Sequence, residues 1–186
     1  MGPAHPPHDD FPQDEFQRHF VMNETSPPVF PEPGAPVPDF DMAASRGRRV
    51  SLSALRGKPF VLYFYPKANT SGCTKEACGF QEALDALGKE GVTVIGVSRD
   101  DMPAIEKFAD AQGLSFPLAS DATGEVTQAY GVWVEKSMYG RTYMGIERAT
   151  FLVDAQGRLV QAWRKVKVTG HVAAVMKAVN ALHAGG

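Results

Sequence analysis

The sequence has few cysteines and no long apolar run, and these two absences exclude several classes of protein. Only two cysteines, Cys73 and Cys78, occur in 186 residues, which excludes a scaffold held together by disulfides. No apolar stretch approaches the roughly 18 residues that a membrane-spanning helix needs. The first residues are proline-rich and acidic, whereas a signal peptide needs basic residues followed by an apolar run. We therefore expect a cytoplasmic protein without a membrane partner.

An excess of charge and a cofactor motif are missing as well. The formal net charge of -2 favours neither nucleic acid nor an anionic membrane as a partner. Because the chain has no glycine-rich dinucleotide fingerprint and no phosphate loop, we expect no cofactor. A zinc site would need two ligands besides the cysteines, usually at short spacing, and His171 and His183 are far away in the sequence. We therefore expect no metal.

Proline is concentrated in one part of the chain. Ten of the 14 prolines fall within residues 1–40, and residues 1–33 are also acidic and poor in aliphatic side chains. Such a segment lacks the apolar surface that would offset its ordering entropy. We predict a disordered tail over residues 1–33, followed by one domain over residues 34–186. Phe16 and Phe20, four residues apart, leave a short docking helix as the alternative.

From residue 34 onward the hydrophobic pattern predicts an α/β domain. Continuous apolar runs are typical of buried strands, and apolar residues three or four apart are typical of helices. In chain order we predict strands 39–42, 50–55 and 60–65, helix 74–87, strand 92–97, helix 102–111, hairpin strands 150–153 and 159–163, and helix 172–183. This order is compatible with a thioredoxin-like fold, but the pattern alone indicates only a mixed sheet with helices.

The most informative segment spans residues 63–81 and reads YFYPKANTSGCTKEACGFQ. An apolar strand stops at Pro66, a small polar loop follows, and a helix begins at or next to Cys73. Unpaired N–H groups and the positive end of the helix dipole would favour a thiolate there, and the thiolate is the reactive form of cysteine. From the spacing alone, two buried free thiols remain the alternative.

The spacing of the two cysteines limits what they do together. On one α-helix, residues five apart have Cα atoms about 8.6 Å apart, beyond the roughly 7 Å that a disulfide spans. Bond formation would therefore require the first turns of the helix to unwind. The spacing also differs from the C-x-x-C of thioredoxin-type redox motifs.

Segment 63–81 resembles the active-site segment of the peroxiredoxins of the bacterioferritin comigratory protein (Q-type) subfamily. The resemblance continues through the later motifs GVW, EKS, GRTYMGIER and TFLVD and covers about residues 34 to 184. It implies a thioredoxin-like fold with a central mixed sheet flanked by helices. It also implies a thiol-dependent peroxidase that reduces hydrogen peroxide and organic hydroperoxides.

The resemblance also implies roles for five residues. The family pattern P-x-x-x-[TS]-x-x-C falls on Pro66, Thr70 and Cys73, so Cys73 is expected to be the peroxidatic cysteine. Cys78 is expected to resolve its sulfenic acid as a Cys73–Cys78 disulfide, and the family's active-site arginine falls on Arg148. Thr70 would direct its hydroxyl toward the thiolate and the peroxide, and Pro66 would shield the site.

The remaining expectations concern the reductant, the oligomeric state and an alternative function of the protein. The resemblance implies thioredoxin or a similar dithiol protein as the reductant, and a monomer. The alternative function is a redox sensor or relay that passes oxidation of Cys73 to a partner protein. One departure from the subfamily is Ser71, where proline is usual. Trp133 and Tyr143 are expected in the core rather than as pocket walls.

Overall fold

The computed structural model describes residues 30–184, which form a central mixed sheet flanked by helices. In chain order the strands are β1 (Asp41–Ala44), β2 (Arg48–Ser51), β3 (Phe60–Phe64), β4 (Thr93–Ser98), β5 (Leu118–Ser120), β6 (Trp133–Met138), β7 (Arg141–Ile146), β8 (Ala149–Val153) and β9 (Leu159–Trp163). Seven of them form the sheet, in the order β2-β1-β5-β4-β3-β8-β9. Strands β3, β4 and β5 are parallel, and the other neighbouring pairs are antiparallel.

Six helices accompany these strands in the described part of the chain. They are α1 (Leu52–Leu55), α2 (Ser71–Glu82), α3 (Leu84–Lys89), α4 (Met102–Gln112), α5 (Glu125–Ala129) and α6 (His171–Ala184). The crossover from β3 to its parallel neighbour β4 carries α2 and α3. The predicted α/β class with a mixed sheet is therefore confirmed.

Strand β3 divides the hydrophobic core into two layers. All five of its residues are buried, because the sheet is covered on both faces. Since side chains alternate along a strand, Leu62 belongs to one layer, and Tyr63 belongs to the layer that also contains Cys73 and Phe80. The helix that carries the first cysteine is thus packed directly against the centre of the sheet.

Two predicted elements differ from the structure. The predicted helix 74–87 is two helices, α2 and α3, which meet at Ala83. The predicted strand 50–55 ends at Ser51, and α1 follows. The reason is that the Ser51 hydroxyl accepts a hydrogen bond from the N–H of Ala54 at 3.2 Å and caps a helical turn.

Four further elements were not predicted: β5, α5, and the strands β6 and β7 of one hairpin. Strand β5 and helix α5 have only three and five residues, too few to show a period. The β6–β7 hairpin is mostly exposed, so its strands lack a buried face. Its two-residue turn, Tyr139 and Gly140, has positive φ at both positions, the conformation of tight hairpin turns, without the Asn-Gly pair that usually indicates one.

The predicted tail lies almost entirely outside the described residues. Residues 1–29, with Phe16 and Phe20, are not described, so the boundary at residue 33 stays a prediction. Within the described part, Phe30 packs against the core, with its ring centroid 5.2 Å from that of Phe151. The guanidinium carbon of Arg164 lies 4.2 Å from the centroid of the Phe30 ring.

We predict that Gly96→Ala lowers the free energy of unfolding by about 1–3 kcal/mol through overpacking. A Cβ at this position of β4 would lie 2.7 Å from Cδ2 of Leu118 and 2.8 Å from the hydroxyl of Tyr63, both of which are buried. Chemical denaturation measures the change. Gly88→Ala is the matched control, because a Cβ there meets no atom within 4 Å and should leave stability unchanged or slightly higher. Equal effects of the two substitutions would contradict the packing described.

Candidate active site

Cys73 lies in the first turn of α2. The helix begins at Ser71, three residues earlier than predicted, and Thr70 is its N-cap residue. The thiol is therefore the third helical residue, beside N–H groups that have no intrahelical acceptor. Its side chain is buried in the layer between α2 and the sheet. The position is the one that the sequence predicted, a sulfur at the positive end of a helix dipole.

The loop between β3 and α2 is fixed by an acid from the neighbouring strand. Asp100 follows β4, and its Oδ2 accepts hydrogen bonds from the N–H of Ala68 at 2.7 Å and from the hydroxyl of Ser98 at 2.8 Å. Pro66 lies just before this anchored point and is half-buried. The carboxylate thus holds the loop that leads into the helix of the thiol.

Thr70 has the role of a turn residue in this structure. Its hydroxyl donates to the carbonyl of Lys67 at 3.0 Å and makes no capping bond to the helix. The oxygen of this hydroxyl can still accept a hydrogen bond. Thr70 is also exposed, so an incoming molecule can reach it.

Arg148 joins the thiol to a buried acid. Arg148 lies between β7 and β8. Its Nη2 donates to Sγ of Cys73 at 3.3 Å, and its Nη1 donates to Oε1 of Glu76 at 2.8 Å. Gly72 leaves room for this contact, because a Cβ there would lie 3.3 Å from Nη2. The guanidinium thus places a charged donor directly on the sulfur.

Glu76 is a buried acid that sequence reasoning missed. Its side chain is 0% exposed, and burial raises its pKa to about 7 although the charge and hydrogen bond of Arg148 oppose that rise. One of its oxygens, Oε2, has no hydrogen-bond partner in the described part of the chain. Its spacing was the available signal, because residues i and i+3 of a helix share a face and Glu76 follows Cys73 by three.

His171 closes the buried side of this cluster. Its Nε2 is hydrogen-bonded to the hydroxyl of Thr150 at 2.7 Å and lies 4.0 Å from Oε2 of Glu76. Burial, together with the charge of Arg148, lowers the pKa of His171 to about 4. His171 is therefore neutral at pH 7, and its approach to Glu76 is not an ion pair.

The guanidinium of Arg148 therefore donates hydrogen bonds to two acidic groups, the Cys73 thiol and the Glu76 carboxyl. Burial alone would lower the pKa of Arg148, but Glu76 and Cys73 raise it more, and the net direction is upward. The cation stays charged in a site that is largely closed to water. It can stabilise negative charge on the sulfur or on an oxygen bound beside it.

Cys78 lies on the same helix as Cys73 but is not bonded to it. Both cysteines are free, and Cys78 is half-buried, with its Sγ 3.7 Å from Oε1 of Gln112. Since both residues belong to α2, a disulfide between them requires the helix to open at its start. The structure thus brings Cys73 and Arg148 into contact, places Thr70 at the start of the same helix, and shows no bond between Cys78 and Cys73.

A groove of about 550 Å³ begins beside this loop. Pro66 and Thr70 form one side, and the β6–β7 hairpin forms the other with Trp133 and Tyr143. The expectation that these two aromatic residues belong to the core alone was wrong. Tyr143 is 45% exposed, and Trp133 packs against the core and also lines the groove.

Two features that the described residues lack bear on other functions. Residues 30–184 contain no cluster of three or more histidine, cysteine or acidic side chains arranged to hold a metal ion. In that same range, every helix is too short or too polar to cross a bilayer.

Glu76 and His171 predict opposite pH dependences of stability. The pKa of Glu76 rises from 4.5 to about 7 on folding, so its stabilising contribution is full below pH 4.5 and is lost as the pH rises through 7. The pKa of His171 falls from 6.5 to about 4, so its contribution is full above pH 6.5 and is lost as the pH falls through 4. Between pH 4.5 and 6.5 the two residues change the free energy of unfolding in opposite directions as the pH rises, and their effects cancel.

Single substitutions should reveal the pH dependence that each residue gives to the free energy of unfolding. Between pH 4.5 and 6.5, we expect the free energy of unfolding of Glu76→Gln to rise with pH relative to the parent, because the His171 term alone remains. For His171→Gln we expect it to fall, because the Glu76 term alone remains. Urea denaturation at closely spaced pH values measures both. Parallel curves for the parent and the two variants would contradict this description of the pair.

Comparison with known proteins assigns the chain to a family. Residues 33–162 match the model of the AhpC/TSA family. A putative peroxiredoxin of Coxiella burnetii is 47% identical, over 78% of this chain and 96% of the relative. Peroxiredoxin Bcp of Bacillus subtilis is 43% identical, over 80% of this chain and 95% of the relative.

Solved structures agree with the relatives. The bacterioferritin comigratory protein of Xanthomonas campestris, described with its alkyl peroxide reduction activity, superposes with a TM-score of 0.73 at 44% identity, covering 76% of this chain and 90% of that one. A cysteine mutant of peroxiredoxin Q of Xylella fastidiosa gives 0.79 at 36% identity, covering 83% and 99%. Both confirm the predicted thioredoxin-like fold. The chain therefore belongs to the AhpC/TSA family, among the peroxiredoxins of the bacterioferritin comigratory protein, or Q, type.

Proposed function

We propose that this protein is a thiol-dependent peroxidase that reduces hydrogen peroxide and organic hydroperoxides, with Cys73 as its nucleophile. The observation that carries the proposal is the 3.3 Å hydrogen bond from Arg148 to Sγ of Cys73 in the first turn of a helix. A guanidinium and a helix start both favour the thiolate, and the thiolate attacks peroxides. The groove beside Pro66 and Thr70 gives the substituent of an organic hydroperoxide room to bind.

The first step oxidises Cys73 and breaks the peroxide bond. The thiolate attacks the terminal oxygen, an S–O bond forms, and water or an alcohol leaves after taking up a proton. Arg148 and the N–H groups of Gly72 and Cys73 supply donors for the negative charge that develops on oxygen. In this proposal the Thr70 hydroxyl binds the peroxide, and Pro66 keeps water away from the thiolate.

The second step uses Cys78. Its thiol attacks the sulfur of the Cys73 sulfenic acid, water leaves, and a Cys73–Cys78 disulfide forms. Because both residues lie on α2, the first turns of that helix open before the bond forms. The start of a helix is the part where such opening costs least, since its N–H groups lack helical partners.

Recycling of the enzyme needs an external dithiol. Cys73 and Cys78 are the only cysteines of the chain, so once they are joined the electrons come from another molecule. We propose thioredoxin or a similar dithiol protein in this role, acting on a monomeric enzyme in the cytoplasm. We also propose that the domain of residues 34–186 carries the activity without residues 1–33. The alkyl peroxide reduction described for the Xanthomonas campestris relative supports the organic substrates.

Serine substitutions separate the roles of the two cysteines. We expect no peroxide consumption by Cys73→Ser, because the nucleophile is absent. Cys78→Ser should undergo a single round of oxidation and then stall as the sulfenic acid or react slowly with added thiol. A peroxide-consumption assay with thioredoxin and its reductase measures turnover, and mass spectrometry identifies the oxidised species.

The same assay distinguishes a peroxidase from a redox relay. Repeated turnover by the parent protein supports the enzyme, whereas oxidation in stoichiometric amount with transfer of the disulfide to one client protein supports the relay. Equal activity in Cys73→Ser and the parent would end the proposal. A fully active variant that lacks residues 1–33 would place the activity in the domain alone.

A further inference from the structure

Lys136 is a half-buried lysine without a bonding partner in the groove. It lies on β6 opposite Tyr143 of β7, and Gly145 gives its stem room, because a Cβ on Gly145 would lie 3.2 Å from Cδ of the lysine. Within residues 30–184 its ammonium makes no hydrogen bond and no ion pair. Lysine side chains usually keep the ammonium in water, so partial burial without a partner indicates a use for the charge.

The charge of Lys136 interacts with the reactive site. Burial lowers the pKa of this ammonium, and the charge of Arg148 lowers it further, while Cys73 and Glu147 act in the opposite direction. A second cation therefore lies in the electrostatic field of the sulfur. Unlike Arg148, Lys136 forms no ion pair with an acidic side chain of residues 30–184.

The other cations of the groove differ from Lys136 in a way that matters. Arg99 donates to Thr127 at 2.8 Å and to the carbonyl of Gly124 at 3.1 Å, and its guanidinium covers the ring of Trp133. Lys67 is exposed to solvent. Among the groove's cations in the described chain, only Lys136 is half-buried, uncommitted and coupled to Cys73.

The chemistry of peroxide cleavage leaves one need that Arg148 does not meet. When the thiolate attacks the terminal oxygen, negative charge develops on the second oxygen, which carries the organic substituent. Arg148 can stabilise that charge but cannot supply a proton, because arginine remains protonated in proteins. The groove lined by Pro66, Thr70 and the hairpin also contains Lys136, and it is the space beside the Cys73 loop that can receive the second oxygen and its substituent.

We propose that Lys136 is a catalytic general acid that protonates the leaving oxygen of the hydroperoxide, an inference that rests on the proposed function. The Cys73 thiolate forms a bond to the terminal OH oxygen, the O–O bond breaks, and the electron pair stays on the second oxygen. Lys136 donates a proton to that oxygen, and an alcohol leaves. The products are the Cys73 sulfenic acid, the alcohol and a neutral amine, which regains its proton from water.

The test compares two oxidants that differ in their leaving groups. tert-Butyl hydroperoxide releases an alkoxide, a strong base that needs a proton, whereas peracetic acid releases acetate, a weak base that does not. We expect Lys136→Met to slow single-turnover oxidation of Cys73 by tert-butyl hydroperoxide about 100-fold, the lower end of general acid catalysis. Oxidation by peracetic acid should stay close to the parent rate. Rapid mixing of the reduced protein with each oxidant measures both rates.

Two further variants complete the design. Lys107→Met removes an exposed lysine of α4 outside the groove and should leave both rates unchanged. Lys136→Arg keeps the charge without an available proton, so it should show the same selective loss for tert-butyl hydroperoxide, to a smaller degree. This variant carries the test if Lys136→Met fails to fold, which circular dichroism checks.

Three other results of these rate measurements would each overturn one of the two proposals. Equal losses with both oxidants would mean that Lys136 acts on the sulfur instead of the leaving oxygen, and would overturn the inference. Unchanged rates with both oxidants would also overturn it. Failure of the parent protein to react with either oxidant would instead overturn the proposed function, so the two failures are distinguishable.

Discussion

The site depends on one buried guanidinium that two acidic groups share. Arg148 donates to Sγ of Cys73 and to Oε1 of Glu76, and both partners lie in the first turns of α2. Ionisation of Glu76 therefore competes with the thiolate for the same cation. Burial resolves part of that competition by raising the pKa of Glu76 to about 7, so that the acid holds a proton over most of the acidic range. The remaining positive charge is then available to the sulfur.

The fold delivers the parts of this cluster from distant stretches of the sequence. The parallel pair β3 and β4 places the Cys73 loop next to Asp100, which anchors it. Strand β8 is antiparallel to β3, and Arg148 directly precedes it, so the guanidinium arrives at the end of β3 where the helix begins. The β6–β7 hairpin leaves the sheet and covers the other side of the groove, where Lys136 is located.

The sequence predicted those parts of the site that are local. Pro66, Thr70 and Cys73 lie within eight residues, and a strand end followed by a helix start is legible from composition. Arg148 was identified by resemblance alone, since nothing in its neighbours distinguishes it from a surface arginine. For Glu76 the local signal was its spacing of three residues from Cys73 on the same helix. The role of His171 depends on its burial beside Glu76, and no local pattern reports burial between residues so far apart in the sequence. The hairpin was missed because exposed strands carry no hydrophobic period.

The most direct measurement is the rate of Cys73 oxidation by hydrogen peroxide in Arg148→Met, compared with the parent and with Arg164→Met. Arg164 is the matched control, because it forms a comparable ion pair with Glu147, the neighbour of Arg148, but does not touch the sulfur. We predict a loss of about 100-fold or more in Arg148→Met, the size associated with removal of one preorganised donor, and a rate near the parent value in Arg164→Met. Similar rates in all three proteins would contradict the central place given to this guanidinium.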